Sequence, residues 1–544
     1  MRIDEFHLHD KNRIAASYYA EDQKTASLYD YPTFHHQSLM KRVSHLATRE
    51  FQRDELVNYL SDYNFQYACS AKTLENIRKL RDPKSVAVIG GQQAGLLTGP
   101  LLTIHKCISI LQFAKLQEER LGIPVVPVFW MAGEDHDYEE INHVFVESNQ
   151  QTKKLALPQP SPYKTSATLM EWNGKKAVDW LETVFANFGE TAYTNELMTS
   201  LKENLLHAKH VVSSFAQLLT ELFGEFGLIL VDSGEPGFKR LQKTMTKRLI
   251  SENQKLDTAF NRGLDRLSQL GFDHPVEQQE GNAHLFFYHE KERLLLFRNG
   301  EDRFETKDGS ISFTSEELLA LAEERPECFS NNVVSRPLMQ DFMFPVLAFV
   351  AGSGEIAYWS ALKDVFSIFS FTMPPLVPRL SMTIVSQKSE KLLQDVQLPL
   401  EDVIQKGTAQ AKQRWYEQNK PHDIQSIGEE TIRAIQSAHA QLAQLAIEID
   451  PSLEQLSEIN VNRITKEVHY LQKKMEQKMK KQYKDPLARY DQLALALYPN
   501  NQLQERVWNV FYYMNTYGPT FVKDLASQTY AFNGLHKVVS VTTS

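Results

Sequence analysis

At 544 residues the chain has room for roughly three or four structural units, and 42% apolar, 10% aromatic and 23% charged residues exclude collagen-like, disordered and disulfide-scaffold classes. Lysine plus arginine (59) against aspartate plus glutamate (68) leaves a net charge of −9, so neither nucleic acid nor an anionic membrane surface is an expected partner. Cys69, Cys107 and Cys328 form no paired metal or dithiol motif. With no basic-then-apolar leader and no apolar run near the ~18 residues of a membrane span, the expectation is a soluble, cytoplasmic protein with reduced thiols.

In chain order, residues 1–84 read as a helical part of a core, with residues 35–81 mixing polar and apolar residues at helical spacing up to Asp82-Pro83. Residues 85–146 then read as strand (SVAVI), glycine loop (GGQQAGLLTGP), helix (LLTIHKCISILQFAKLQEERLG) and strand (IPVVPVFWMA). That βαβ unit implies a parallel sheet with a right-handed crossover. A first insertion, 147–226, opens with a polar, proline-rich segment; core returns at 227–255 with GLILVD and a helix; a second insertion, 256–331, carries the alternating hairpin HLFFYHEKERLLLFRNGEDRF. Core resumes at 332–380.

Residues 381–500 read as a helical hairpin broken at Asp450-Pro451. The stripes Ile432, Ile435, Leu442, Leu445, Ile449 and Ile464, Val468, Leu471, Met475 ask for a partner beyond one antiparallel helix, which predicts a homodimer. Residues 501–544 are expected to pack back on the core. The fold class is therefore α/β, a doubly wound core with two insertions and a C-terminal α-helical coiled-coil hairpin.

Several residue groups suit chemistry. In the glycine loop, Gln92, Gln93, Gly95, Gly99 and Pro100 fit close backbone approach to an anion, followed by His105 and Lys106 on the helix; a tight structural turn is the plain alternative. Glu134, Asp135, His136 and Asp137 follow a strand that ends at the same sheet edge, where three carboxylates and an imidazole can hold an ammonium group or supply a base; a charged helix start is the plain alternative. Ser353, Glu355 and Tyr358 follow another strand and its glycines, while Arg336 and Arg379 are cations suited to carboxylates. Ser386 and Lys388 at the hinge, with Arg489, Arg506 and Trp508, suit a nucleotide: cations for phosphates and an indole for the base. Pairing of those arginines with Glu505 and Asp491 would explain them equally well. His7, His9, His35 and His36 lack partners at usable spacing, and no metal site is expected.

GGQQAGLLTGPLLTIHK, VFWMAGEDHDYEEINHV, FVAGSGEIAYW and LQERVWN together resemble the cysteine-adding ligase family of bacillithiol biosynthesis, over nearly the whole chain. The resemblance implies a Rossmann-like core with two connecting-peptide insertions and a dimerising coiled coil. It also implies addition of L-cysteine to the amine of glucosaminyl-malate, the last step to this low-molecular-weight thiol. The chemistry asks for ATP-derived activation of the cysteine carboxyl, with ADP as the companion ligand. On this reading the glycine loop takes an anion or nucleotide phosphate, His105 and Lys106 stabilise charge, and Glu134 to Asp137 serve the amine and the base. Lys106, Arg336 and Arg379 would take malate's carboxylates. Two other readings remain, a nucleotide-binding coiled-coil scaffold without catalysis and an adenylate-forming ligase with another amine acceptor.

Overall fold

The computed structural model describes residues 1–32, 34–158, 164–300 and 302–542. Part of the proline-rich opening of the first insertion, residues 159–163, therefore lies outside the described residues. The chain divides into two compact units, one of residues 1–386 with 502–544 and one of residues 387–501.

In the larger unit the apolar runs become five strands: β1 (Val86–Gln92), β2 (Val125–Met131), β3 (Ile229–Asp232), β4 (Val346–Ala351) and β5 (Leu376–Pro378). Their spatial order is β5-β4-β1-β2-β3 and every neighbouring pair is parallel. All their residues except Gln92 are buried, which is why they read as continuous apolar runs rather than alternating ones. The order reverses between β1 and β4, so a crevice opens at their carboxyl ends. Helix α1 (Leu102–Leu121) links β1 to β2, is buried without a break from Thr103 to Leu111, and stops at Gly122 in the left-handed conformation. Helix α2 (Ser353–Trp359) follows β4.

Gly90 and Gly91 belong to β1 rather than to the loop assigned to them from sequence. A β-carbon on Gly91 would stand 2.7 Å from the Trp130 carbonyl oxygen, so glycine here serves strand packing against β2.

Residues 36–79 form three helices, His36–Leu46, Arg53–Phe65 and Ala71–Lys79. The first insertion starts with an antiparallel hairpin, His143–Ser148 against Gln151–Ala156, four residues ahead of the boundary at 147. Helices Gly174–Phe188, Thr194–His207 and Val211–Phe223 complete it. The second insertion holds an antiparallel sheet in which Asn282–His289 pairs with Glu292–Asn299. A separate three-stranded sheet places His536–Val541 between Arg2–Phe6 and Met382–Ser386. Because 382–386 is a strand of this sheet, the helical unit begins at Gln387 and not at 381.

In that unit α3 (Ile424–Ile449) and α4 (Glu454–Gln482) run antiparallel, with Gly428 against Gln472 near the base and His439 3.0 Å from Asn460 farther out. Ile424, Gly428 and Met479 are buried, and Ile432, Ile435 and Val468 half-buried, whereas Leu442, Leu445, Ile449, Ile464, Leu471 and Met475 are exposed. Among the described residues no helix is long and apolar enough to cross a membrane.

Candidate active site

After β1 the chain turns through Leu96–Thr98, where Leu97 (φ 50°), the β-branched Thr98 (φ 69°) and Gly99 (φ 71°) all hold positive φ. Two adjacent non-glycine residues in that region need outside support. Asn509 supplies it: its Nδ2 donates to the Leu97 and Gly99 carbonyls, both at 2.7 Å, while the Leu101 N–H donates to the Trp508 carbonyl. Gln92, Gln93, Gly95, Gly99 and Pro100 then line a cleft of about 150 Å³ together with Thr103, Glu140, His143 and Arg506.

Gln93 ties this loop to the acidic cluster, its Nε2 donating to Asp135 at 2.6 Å and to Glu140 at 2.7 Å. Asp135 also accepts from the backbone N–H groups of His136 and Asp137, which shapes the turn after β2. Glu134 is buried, accepts from the Asn331 N–H at 3.0 Å, and is pushed up in pKa by burial, against the pull of Arg293 and Lys239. His136 is pushed down by burial and by Arg293, whose Nη1 lies 2.9 Å from its Nδ1. Asp137 is exposed.

At the switch point, the buried Lys106 donates to the Gly91 carbonyl at 2.6 Å and to Glu355 at 2.5 Å. Burial lowers the pKa of its ammonium while Glu355 opposes the shift. Glu355 also accepts the Gly352 N–H, capping α2. Tyr358 accepts from Arg336, and Ser353 donates to Asp10. Glycine loop, Glu134 to Asp137, Lys106, Ser353, Glu355, Tyr358 and Arg336 thus all stand at the carboxyl ends of the core strands.

Other candidates stand elsewhere. His105, one residue before Lys106, is fully buried with Nδ1 2.6 Å from Glu505, and burial lowers its pKa against that carboxylate's pull. Arg379 forms a two-pronged pair with Glu505 at 2.9 and 2.6 Å, and Glu505 also accepts from Ser381 and from the Met382 N–H. Although burial opposes it, Arg379 and His105 hold the Glu505 carboxyl well below the usual range. His105 and Arg379 are therefore struts that dock the returning segment, not groups at the mouth. Of the nucleotide set, Arg506 faces the glycine-loop cleft, Trp508 is buried and stacked on Tyr512, and Ser386 ends a strand. Lys388 and Arg489 belong to the helical unit, where Arg489 lies 3.8 Å from Asp395.

Sequence reasoning missed Arg293, Glu505 as a hub, and Asn509. Arg293 enters from the second insertion, donates to Ser330 and the Asn331 carbonyl, and lies 3.7 Å over the Phe286 ring. Its only sequence signal is a charge at a strand position of the hairpin whose side chain turns inward.

Comparison with known proteins gives a consistent match. The family described as Bacillithiol biosynthesis BshC, N-terminal Rossmann-like domain, matches residues 1–380, and the C-terminal coiled-coil domain of the same description matches residues 382–541. A relative from Anoxybacillus flavithermus, named "Putative cysteine ligase BshC", is 41% identical over 539 residues, covering 99% of this chain and all of the relative. Relatives of the same name from Bacillus velezensis and Geobacillus kaustophilus are 40% and 39% identical, each over 99% of this chain and their whole length.

Proposed function

The chain belongs to the bacillithiol biosynthesis BshC family, and from that premise we propose that it is a ligase joining the carboxyl group of L-cysteine to the amine of glucosaminyl-malate, the final step to bacillithiol. A carboxylate does not acylate an amine unaided, and ATP is the activating co-substrate. The cysteine carboxylate oxygen attacks phosphorus, giving an acyl phosphate with ADP released or an acyl adenylate with pyrophosphate released. The amine then attacks the acyl carbon, the acyl C–O bond breaks with phosphate or AMP leaving, and the nitrogen passes a proton to a base.

The observation that carries this reading is the bridge from Gln93 to Asp135 and Glu140, which sets an anion-suited loop beside a carboxylate cluster. The glycine-loop cleft with Arg506 takes a phosphate group, and Lys106 offsets negative charge at the switch point. Glu134 is the base, since burial moves its pKa toward the working range, and Arg293 orients His136 beside it. His105, one of the groups assigned to charge stabilisation from sequence, acts as a positioning residue through Glu505. A homodimer formed by the exposed apolar stripe of the helical hairpin belongs to the same proposal.

Purified protein incubated with cysteine, glucosaminyl-malate, ATP and magnesium, with products read by mass spectrometry, tests it. Wild-type protein forms bacillithiol; Glu134→Gln lowers kcat/KM by about 10²-fold or more, the scale of a lost general base, and His136→Ala by a smaller factor. No product from the wild type, or unchanged kcat/KM in Glu134→Gln, would overturn the assignment.

A further inference from the structure

Near the Glu134 turn stands a buried cation, Lys239. It belongs to the short helix Pro236–Leu241, which follows β3, and is 3% exposed. Among the described residues its ammonium group makes neither a hydrogen bond nor a close ion pair, and its charge stands 4.3 Å from the centre of the Tyr288 ring. Taking an ammonium group out of water is costly, and one aromatic face offsets only part of that cost. Tyr288 leads to the active site: from strand Asn282–His289 of the second insertion, its hydroxyl reaches to 3.5 Å from the Glu134 carbonyl oxygen. Lys239 is thus one tyrosine ring away from Glu134, and its field acts on that carboxyl group.

Three cations from three elements act on Glu134, whose own turn carries Asp135, His136 and Asp137. Two of the three are engaged elsewhere. Arg293 donates to Ser330 and the Asn331 carbonyl and meets His136, while Arg336, from helix Ser335–Met343, donates to Gln340 and Tyr358. Lys239 has no such partner. Its field also reaches Cys328, whose thiol burial raises, and Asp232, which burial pushes up to about 7. Below neutral pH both are mostly protonated, and Glu134 is the anion left for the buried charge. We propose that Lys239 is a positioning residue of the ligase site, its buried ammonium group holding Glu134 as the carboxylate that takes the amine's proton. It acts through space and does not touch substrate. The proposal rests on the role of Glu134 given above.

The sign of the effect follows from the charge. Without the cation the carboxylate form loses support, Glu134 stays protonated to higher pH, and the acid limb of the rate profile moves up. The test is kcat/KM for bacillithiol formation by the full chain, from about pH 5.5 to about pH 9, in the wild type, Glu134→Gln, Lys239→Met and Lys239→Arg. The wild type shows an acid limb that Glu134→Gln abolishes; Lys239→Met moves the limb up by at least about half a pH unit, and Lys239→Arg, which keeps the charge, brings it back toward the wild type. An acid limb that persists in Glu134→Gln, or a wild type that forms no product, overturns the role of Glu134 and this inference with it. A limb lost in Glu134→Gln but unmoved in Lys239→Met overturns this inference alone, even if the rate falls by one factor at every pH, as a packing role would give. A limb displaced equally in Lys239→Arg and Lys239→Met assigns the shift to packing and also overturns it. Should Lys239→Met fold poorly, Lys239→Gln serves in its place with the same expectation.

Discussion

His105 and Lys106 show how one helical step separates roles. Successive side chains on a helix project about 100° apart, so one of two neighbours turns to Glu505 and the other to the Gly91 carbonyl and Glu355. Sequence spacing placed both near the glycine loop, which is true of their backbones. What it could not show is the partner, because Glu505 lies 400 residues away. The carboxylate cluster was legible because its four residues are contiguous at a strand end; Arg293 was not, because only the folded hairpin carries it there. Asp232 allows a quantitative test at this scale. Burial lifts its carboxyl to about 7, far above the ~3.9 of an unfolded chain. The folded state then binds the proton more tightly, so this group favours folding at low pH and that contribution drains away as pH rises from about 4 to about 7. Asp232→Asn removes the titration. The melting-temperature loss between pH 5 and pH 8 should shrink in the variant, by an amount equivalent to at most a few kcal/mol at about 1.4 kcal/mol per pKa unit. An undiminished loss, followed by calorimetry at both pH values, counts against a buried, elevated Asp232.

Among the elements, the parallel strands were readable because a sheet covered on both faces leaves a run of apolar residues with no alternation. The helical hairpin was readable for another reason: apolar residues recur at helical spacing among polar ones along two long runs. Gly90 and Gly91 misled because glycine serves close approach to a ligand and close approach to a neighbouring strand alike; here Trp130 is the neighbour. The left-handed turn at Leu97 and Thr98 leaves no sequence signature, since neither residue type favours it. Its support from Asn509 is correspondingly large. Asn509→Ala leaves two carbonyls without their donor, which should cost about 1–3 kcal/mol and loosen the loop. Hydrogen exchange should quicken at the amides of residues 96–101 while those of β2 stay protected. Equal protection of both segments in the variant would show that the loop holds its shape unaided.

At the scale of the whole molecule, the helical unit presents Leu442, Leu445, Leu456, Leu471 and Met475 to solvent, between 47% and 60% exposed. This stripe along two long helices is the surface assigned to a homodimer seam in the proposed function. Replacing Leu471 and Met475 by glutamate should convert a wild-type dimer into monomers, because charges in a buried seam are costly. Light scattering at micromolar concentration reads the change, and a wild-type monomer would contradict the interface. The path of the chain has its own consequence. The core is left at Ser386 and re-entered at Gln502, and its three-stranded sheet is centred on His536–Val541. A nascent chain still on the ribosome therefore holds β1 to β5 long before it holds Glu505, Asn509 or that central strand. A translation product that stops between the glycine loop and Asn509 carries the loop without its clamp, so the loop is fastened only after the whole helical unit has been made.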